Sequence, residues 1–211
     1  MKITNVKVEM FNWKSEPWQV GARPFHASTQ TLGIVTVETD GGVSGRAFLG
    51  SCNKGADFFV RDLMAFIKPM ILGRNAQDIG KIWRLMWKKN REVTVQAISA
   101  VDICLWDING KAAGQPIHRL LGTYRDSVPA YSSSPYHATV DEYVEEAIHF
   151  KELGWTAHKV HPHGIPREDI ELCRALHDAV GDDMVLMLDA MWAYQYEDAL
   201  RVGRAIEEMG Y

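Results

Sequence analysis

Two basic side chains stand two residues apart in the segment Lys159-Val160-His161-Pro162. Successive side chains of a β-strand point to opposite faces, so Lys159 and His161 are expected to share one face while Val160 lies on the other. Pro162 favours an extended conformation in the residue before it and ends the strand pairing. Two bases at a strand end suit proton transfer, although they also suit the surface hydrogen bonds of ordinary strand-end residues.

A carboxylate closes a second apolar run of the chain. Asp189 follows the segment MVLML at 184–188. A carboxylate at the end of a buried strand either caps the next helix or binds a metal ion. The next helix is predicted to begin several residues later, near Gln195 or Glu197, which disfavours the capping role.

These residues lie in a region where strand and helix patterns alternate. The predicted strands are 128–134, 156–161 and 184–189, and the predicted helices are 141–153, 167–180 and 197–209. A glycine follows each helix, where a left-handed residue commonly closes the last turn. Such repeats predict parallel strands with right-handed crossovers, in a doubly wound sheet or in a barrel with its chemistry at the carboxyl ends of the strands. No GxGxxG motif follows a strand, so a dinucleotide-binding version has no support.

The first 120 residues have a different organisation. Strand-favouring segments joined by a DGG turn precede a helical periodicity that runs from 55 to 114, an order typical of an α+β domain. Between the strands, 14–29 is predicted to be a long mobile loop of the kind that carries specificity. Within that loop, Trp18, Phe25 and His26 are candidates for closing over a substrate.

The composition excludes several classes of protein. The 211 residues are 46% hydrophobic and 24% charged with a net charge of −4, which is ordinary for a globular protein. Lys and Arg are scattered, so we expect no nucleic-acid partner. Neither a signal peptide nor a run of about 20 apolar residues is present, so we expect a cytoplasmic protein with no membrane partner. Three cysteines without CxxC spacing argue against a disulfide framework and against a cysteine zinc site.

The last residue, Tyr211, stands where a fourth parallel strand is expected to begin. Three strand–helix units cannot close a barrel, which needs about eight. The chain is therefore expected to be either an open three-stranded sheet or a fragment of a longer enzyme.

One long segment carries a family resemblance. Residues 97–122, AISAVDICLWDINGKAAGQPIHRLLG, resemble the signature of the mandelate racemase and muconate lactonizing group of the enolase superfamily, with Cys104 where that signature usually has alanine. The order of strands, helices and strand–helix repeats follows the same family along the whole chain. The resemblance implies an α+β capping domain at 1–125, followed at 126–211 by the first part of a TIM-like (β/α) barrel whose C-terminal remainder is missing.

The resemblance also implies roles for the reactive residues. Members of the family usually carry Lys-x-Lys on the second barrel strand, with the second lysine as the base and the first beside the substrate carboxylate. By that match His161 is the candidate proton abstractor and Lys159 the cation. Histidine suits the task because its ordinary pKa of about 6.5 leaves it mostly neutral at pH 7. Asp189 becomes the first ligand of Mg²⁺, the implied cofactor.

Other side chains are candidates for contact with the substrate. Ser133 belongs to the serine run that ends the first barrel strand, and His163 lies in the loop after the second. His26 lies in the early loop. Trp192 follows Met191, which stands where many relatives carry a polar residue, often Asn.

The function that we infer from this resemblance is a Mg²⁺-dependent acid-sugar dehydratase with a small sugar acid as its substrate. A racemase, an epimerase or a cycloisomerase of the same superfamily is the alternative within that chemistry. A non-catalytic fragment that needs a partner chain is the alternative from another class. Uncovered barrel strands expose a sheet edge, so we also expect a homo-oligomer.

Overall fold

The computed structural model describes residues 1–14, 18–20, 23–25, 29–50 and 55–211. The chain forms two compact units. The first consists of 1–15 and 28–126, and the second consists of 127–211 together with 16–27. Within the described residues, no helix combines the length and the apolar composition needed to cross a membrane.

An antiparallel sheet forms one layer of the first unit. Its strands are β1 (Ile3–Lys14), β4 (Thr29–Thr39) and β5 (Ser44–Leu49). Strand β4 lies in the centre and pairs with both neighbours, and a tight turn at 40–42 joins it to β5. The strand meander predicted from the DGG turn is confirmed.

The segment at 14–29 differs from the predicted loop. It contains two short strands, β2 (Trp18–Val20) and β3 (Arg23–Phe25), which pair in antiparallel fashion. The prediction of one long loop is therefore wrong for these residues, because the pairing of short strands depends on a partner that residue types alone do not reveal. His26 lies outside the described residues.

Helices form the second layer of the first unit. They are α1 (Asp57–Asp62), a π-helical turn (Leu63–Ile67), α2 (Lys68–Ile71), α3 (Ile79–Trp87), α4 (Val95–Ala113) and α5 (Ile117–Leu120). Helix α4 buries Val101, Cys104 and Leu105 completely in the core, which it shares with Val35 and Val37 of the central strand. The first part of the segment at 97–122, which carries the family resemblance, therefore lies in α4, the helix that completes the core of this unit.

Close backbone approach fixes α4 against the sheet. Gly45 on β5 lies so near the helix that an added Cβ would collide with the backbone carbonyl of Cys104. Only glycine fits at this crossing, because the obstacle is main chain and cannot rotate away.

The second unit alternates strands and helices. Its elements are β6 (Ser132–Ser133), α6 (Val140–Glu152), β7 (Ala157–Val160), α7 (Pro166–Val180), a 3₁₀ turn (Gly181–Asp183), β8 (Val185–Leu188) and α8 (Tyr196–Glu207). The strands pair in parallel in the order β6-β7-β8, as predicted. The glycines after the helices, Gly154, Gly181 and Gly210, have φ values of 85°, 62° and 78°.

Strand β6 is shorter than the predicted strand at 128–134. Only Ser132 and Ser133 pair with β7, and Val128 is 73% exposed. Pro129 has no N–H to donate to a ladder, which is a physical reason for pairing to start after it.

The buried face of β7 packs against helices. His158 is fully buried, and its Nδ1 lies 2.8 Å from Oγ of Ser132. Its ring centroid lies 6.0 Å from that of Phe150 on α6, and Nε2 has no hydrogen-bond partner among the described residues. His158 therefore faces the helices and takes no part in the opposite face.

Substitution of Gly45 tests the close crossing between β5 and α4. We expect Gly45→Ala to destabilise the protein by about 1–3 kcal/mol or more, because the added methyl group overpacks a backbone contact. Gly203→Ala is the control: position 203 lies inside α8 with open space around it, so alanine should stabilise by roughly 0.5–1 kcal/mol. Urea unfolding of both variants measures the difference, and equal effects would contradict the crossing.

The buried imidazole of His158 predicts a loss of stability in acid. Burial, with a smaller contribution from His137, lowers its pKa from the ordinary 6.5, and only the charge of Glu146 opposes the shift. Between that lowered value and 6.5 the unfolded chain binds a proton that the folded protein does not. The free energy of unfolding is therefore largest above about pH 6.5 and falls below it, by up to about 1.4 kcal/mol per pH unit.

Unfolding by urea at several pH values checks this expectation. His158→Asn should flatten the dependence below pH 6.5, even if the variant is less stable at pH 7. His149→Asn removes a histidine from the exposed face of α6 and should leave the dependence unchanged. Parallel curves for the protein and His158→Asn would show that His158 does not cause the acid sensitivity.

Candidate functional site

The carboxyl ends of β7 and β8 bring the candidate residues together. These strands pair in parallel, with Lys159 opposite Met187 and Val160 opposite Leu188. The N–H of Asp189 donates to the carbonyl oxygen of Val160 at 2.9 Å, so the ladder extends one residue past β8. Asp189 is thereby fixed beside the end of β7, where Lys159 and His161 emerge.

Asp189 carries contacts to both bases. Its Oδ2 lies 3.1 Å from Nζ of Lys159 and 3.5 Å from Nε2 of His161. The side chains of Lys159 and His161 are 20% and 17% exposed, and that of Asp189 is 35% exposed. The predicted sharing of one strand face and the convergence on Asp189 are therefore present in the structure.

The carboxyl group of Asp189 is held in its ionised form. Partial burial acts to raise its pKa, but hydrogen bonds from Lys159 and from the N–H of Met191, together with the charge of Lys159 and that of His161 when its ring is protonated, lower it below the ordinary value. The N–H of Met191 donates to Oδ1 at 3.2 Å. Asp189 does not cap the next helix, because α8 begins at Tyr196 with Gln195 as its N-cap residue.

The backbone around His161 defines which ring nitrogen can accept a proton. Nδ1 lies 2.7 Å from the carbonyl oxygen of Ser134, which can only accept, so Nδ1 carries the hydrogen. In the neutral ring Nε2 is then unprotonated, and Nε2 is the atom that faces Asp189. His161 therefore presents a basic nitrogen to the same point as the carboxylate.

Two further contacts hold the main chain of His161. Its N–H donates to Oγ of Ser134 at 3.1 Å, and its carbonyl oxygen accepts a hydrogen bond of 2.7 Å from the hydroxyl of Tyr143 on α6. Ser134 belongs to the serine run noted in the sequence, but no sequence pattern marks Tyr143, which lies 18 residues away. The ring of Tyr131, 5.5 Å from Nζ of Lys159, was likewise missed.

A cavity of about 710 Å³ opens beside His161. Its lining consists of Ser134, Pro135, Tyr136, His137, Ala138, His161 and His163. The ring of Tyr136 lies 5.6 Å from that of His161 and 6.4 Å from that of His163. The cavity is large enough for a small molecule and borders the basic ring directly.

The remaining candidates have different positions. Ser133 is exposed and pairs in register with Lys159, so it lies at the same sheet edge. Trp192 is 94% exposed and has a φ of 59°, and no ring contact or hydrogen bond joins it to the bases within the described residues. His163 lines the cavity.

The carboxylate of Asp189 can supply one ligand of a magnesium site. An ionised carboxylate is a ligand that Mg²⁺ prefers, but the ion needs about six oxygens, some of them from water. Among the residues that the structure describes, no three His, Cys, Asp or Glu side chains form a metal-binding group. Asp189 therefore fits as a single ligand.

Comparison with known proteins matches both units. Residues 3–122 match the family model of the mandelate racemase / muconate lactonizing enzyme N-terminal domain, and residues 142–211 match that of the enolase C-terminal domain-like family. L-talarate/galactarate dehydratase of Salmonella typhimurium is 37% identical over 67% of this chain and 38% of its own length. D-galactarolactone cycloisomerase of Agrobacterium fabrum is 29% identical over 96% of this chain and 55% of its own length.

A solved relative has the same fold over the whole chain. D-glucarate dehydratase from Agrobacterium tumefaciens, in complex with magnesium, superimposes with a TM-score of 0.77 at 28% identity and covers 100% of this chain and 59% of that protein. The chain thus spans between 38% and 59% of the length of these relatives. Capping-domain and barrel portions are both recognisable, and the chain belongs to the mandelate racemase / muconate lactonizing enzyme family of the enolase superfamily.

Proposed function

We propose that this chain carries the base and one metal-binding carboxylate of a Mg²⁺-dependent acid-sugar dehydratase. The observation that carries the proposal is the meeting of Lys159 Nζ and His161 Nε2 at Oδ2 of Asp189, at 3.1 and 3.5 Å. The three residues lie at the carboxyl ends of adjacent parallel strands, where enzymes with barrel folds carry their catalytic residues.

His161 is the proposed proton acceptor. The hydrogen bond from Nδ1 to the carbonyl of Ser134 keeps the lone pair on Nε2 in the neutral ring. Tyr143 and Ser134 fix the main chain of His161, so Nε2 keeps its position while it takes a proton from the carbon beside the substrate carboxylate. A positioned base of this kind contributes about 10²–10⁴-fold to the rate.

Lys159 and Asp189 are proposed to bind the carboxylate end of the substrate. The ammonium group of Lys159 adds positive charge where the enediolate develops negative charge, and side-chain burial strengthens that interaction. Asp189 would hold Mg²⁺, as in a family whose relative D-glucarate dehydratase was solved with magnesium. The bound cation would supply several kcal/mol of charge stabilisation to the same carboxylate.

The overall reaction that we propose is the loss of water from a sugar acid. The proton leaves from the carbon beside the carboxylate, the hydroxyl group leaves from the next carbon, and the resulting enol becomes a 2-keto acid. The relation to L-talarate/galactarate dehydratase supports this substrate class. The cavity bordered by Tyr136 and His163 offers polar and aromatic contacts for the rest of the sugar chain.

A cycloisomerase is the second candidate. The relation to D-galactarolactone cycloisomerase, which extends over 96% of this chain, favours it over a simple racemase or epimerase. All of these reactions begin with the same proton abstraction, so the products distinguish them. The remaining alternative, a non-catalytic chain with a protein partner, predicts no turnover of any sugar acid.

Assays of the full-length protein with Mg²⁺ and a panel of aldonic and aldaric acids test the proposal. We expect a 2-keto acid product, which is detectable with semicarbazide. His161→Asn should reduce kcat by about 10²–10⁴-fold because the base is lost. Asp189→Asn should abolish turnover at ordinary Mg²⁺ concentrations.

His149→Asn is the matched control, since it makes the same substitution on the exposed face of α6. It should leave kcat unchanged. Exchange of the substrate α-proton in D₂O without a keto product would indicate an epimerase, and full activity of His161→Asn would refute His161 as the base. Size-exclusion chromatography of the same samples tests the expected homo-oligomer.

A further inference from the structure

The loop from Asp189 to Gln195 must hold its shape for the site to exist. It connects β8 to α8 without regular structure, and it includes Met191 and Trp192 at positive φ values of 48° and 59°. L-residues with side chains seldom adopt this conformation, and it persists only where the surroundings enforce it. Other contacts must therefore hold the loop.

One such contact comes from a buried carboxylate on α7. Asp169 lies in the first turns of that helix, is only 1% exposed, and its Oδ2 accepts a hydrogen bond of 2.5 Å from the hydroxyl of Tyr194. A buried charge needs such partners to offset its loss of hydration. This hydrogen bond joins Tyr194, near the end of the loop at 189–195 (the Asp189 loop), to α7, the helix that follows β7.

A second contact joins the loops that follow the two strands. Gly164, in the loop between β7 and α7, has a φ of 79°, and a Cβ built on it would lie 2.5 Å from Cβ of Ala193. The N–H of Ala193 donates to the carbonyl of Ala190 at 2.9 Å, which closes the turn around Met191 and Trp192. The two loops therefore approach each other closely at Gly164 and Ala193, where the absence of a side chain on Gly164 makes room for the Ala193 methyl group.

Groups of the loop that leaves β7 also act on the carboxyl group of Asp169. Burial raises the pKa of its carboxyl group, while the bond from Tyr194, the charge of His163 and the N–H of Gly164 act in the opposite direction. These partners come from both loops. Tyr194 belongs to the loop that begins at Asp189, whereas His163 and Gly164 belong to the loop that follows His161.

We propose that Asp169 is a positioning residue: through Tyr194, it fixes the Asp189 loop against the loop after β7 and so orients the carboxylate toward Lys159 and His161. The proposal rests on the proposed function, because it assigns the fixed carboxylate to Mg²⁺. Asp169 itself touches neither base in the structure.

The first test removes the bond at each end in the full-length protein. Asp169→Asn and Tyr194→Phe should weaken the binding of Mg²⁺ alone, measured by isothermal titration calorimetry, by about 10–100-fold, as is typical when groups behind a metal ligand are lost. Both variants should also speed the amide exchange of peptides covering 189–195, measured by mass spectrometry.

Tyr211→Phe is the matched control. The hydroxyl of Tyr211 donates to the carbonyl of Cys173 on the same helix at 2.9 Å, so the variant loses a comparable tyrosine bond without affecting either loop. It should retain the Mg²⁺ affinity and the slow exchange at 189–195. An equal loss of affinity in Tyr211→Phe would reduce Asp169 to a merely structural role and overturn the proposal.

A rescue experiment tests the contact between the loops. Gly164→Ala should weaken Mg²⁺ binding because the new methyl group displaces Ala193. Adding Ala193→Gly removes that obstacle, since the next atom, Cα of residue 193, lies at an ordinary 3.9 Å. The double variant should recover part of the affinity, the rest being lost because alanine is strained at the φ of 79° that residue 164 adopts. An affinity no better than that of Gly164→Ala alone would contradict the contact.

Asp189→Asn separates this proposal from the proposed function. If Asp189→Asn leaves Mg²⁺ affinity unchanged, the assignment of the metal ligand fails and the positioning proposal fails with it. If Asp189→Asn abolishes binding while folded Asp169→Asn and Tyr194→Phe bind Mg²⁺ normally, only the positioning proposal fails. The rate of amide hydrogen exchange at 189–195 shows independently whether each variant has made the loop more mobile.

Discussion

The parallel pairing of β7 with β8 is the constraint on which the site depends. A register with Lys159 opposite Met187 carries the ladder to Asp189, whose N–H bonds the carbonyl of Val160. A slip of one residue would turn each side chain to the other face of the sheet and separate the carboxylate from both bases. The electrostatic contacts at Asp189 are therefore consequences of strand register, and the long-range hydrogen bonds of the ladder are what bring distant residues together.

The two faces of β7 divide packing from chemistry. His158 and Val160 are buried among the helices, whereas Lys159 and His161 lie on the face that Asp189 shares. Because they lie on opposite faces, His158 and His161 have different surroundings although they are only three residues apart. Nε2 of His158 has no hydrogen-bond partner in the part of the chain that the structure describes, and burial lowers the pKa of this ring. A backbone carbonyl instead orients His161 with Nε2 toward a carboxylate. Residue type alone does not assign a role, because the strand face decides it.

Much of this arrangement could be predicted from local patterns. Period-two spacing put Lys159 and His161 on one face, and the late start of α8 argued against Asp189 as a cap; both features are present. The contacts made by Tyr143 and Asp169 could not be predicted. Tyr143 bonds to a residue 18 positions away and Asp169 to a residue 25 positions away, and no periodic pattern links either pair. Pairing of short strands, as in β2 and β3, likewise depends on a partner that propensity does not reveal.

Helices that follow strands of the sheet bond to His161 and to Tyr194 in the segments beyond β7 and β8. Tyr143 on α6, the helix after β6, holds the carbonyl of His161 beyond the next strand, and Asp169 on α7, the helix after β7, holds Tyr194 beyond β8. A polar side chain near the start of one helix thus fixes the loop after the following strand. Because parallel strand–helix units are repeated around a barrel, the alignment of His161 with the carboxylate of Asp189 is a property of neighbouring units. The geometry of the site then depends on part-buried hydrogen bonds behind the sheet edge.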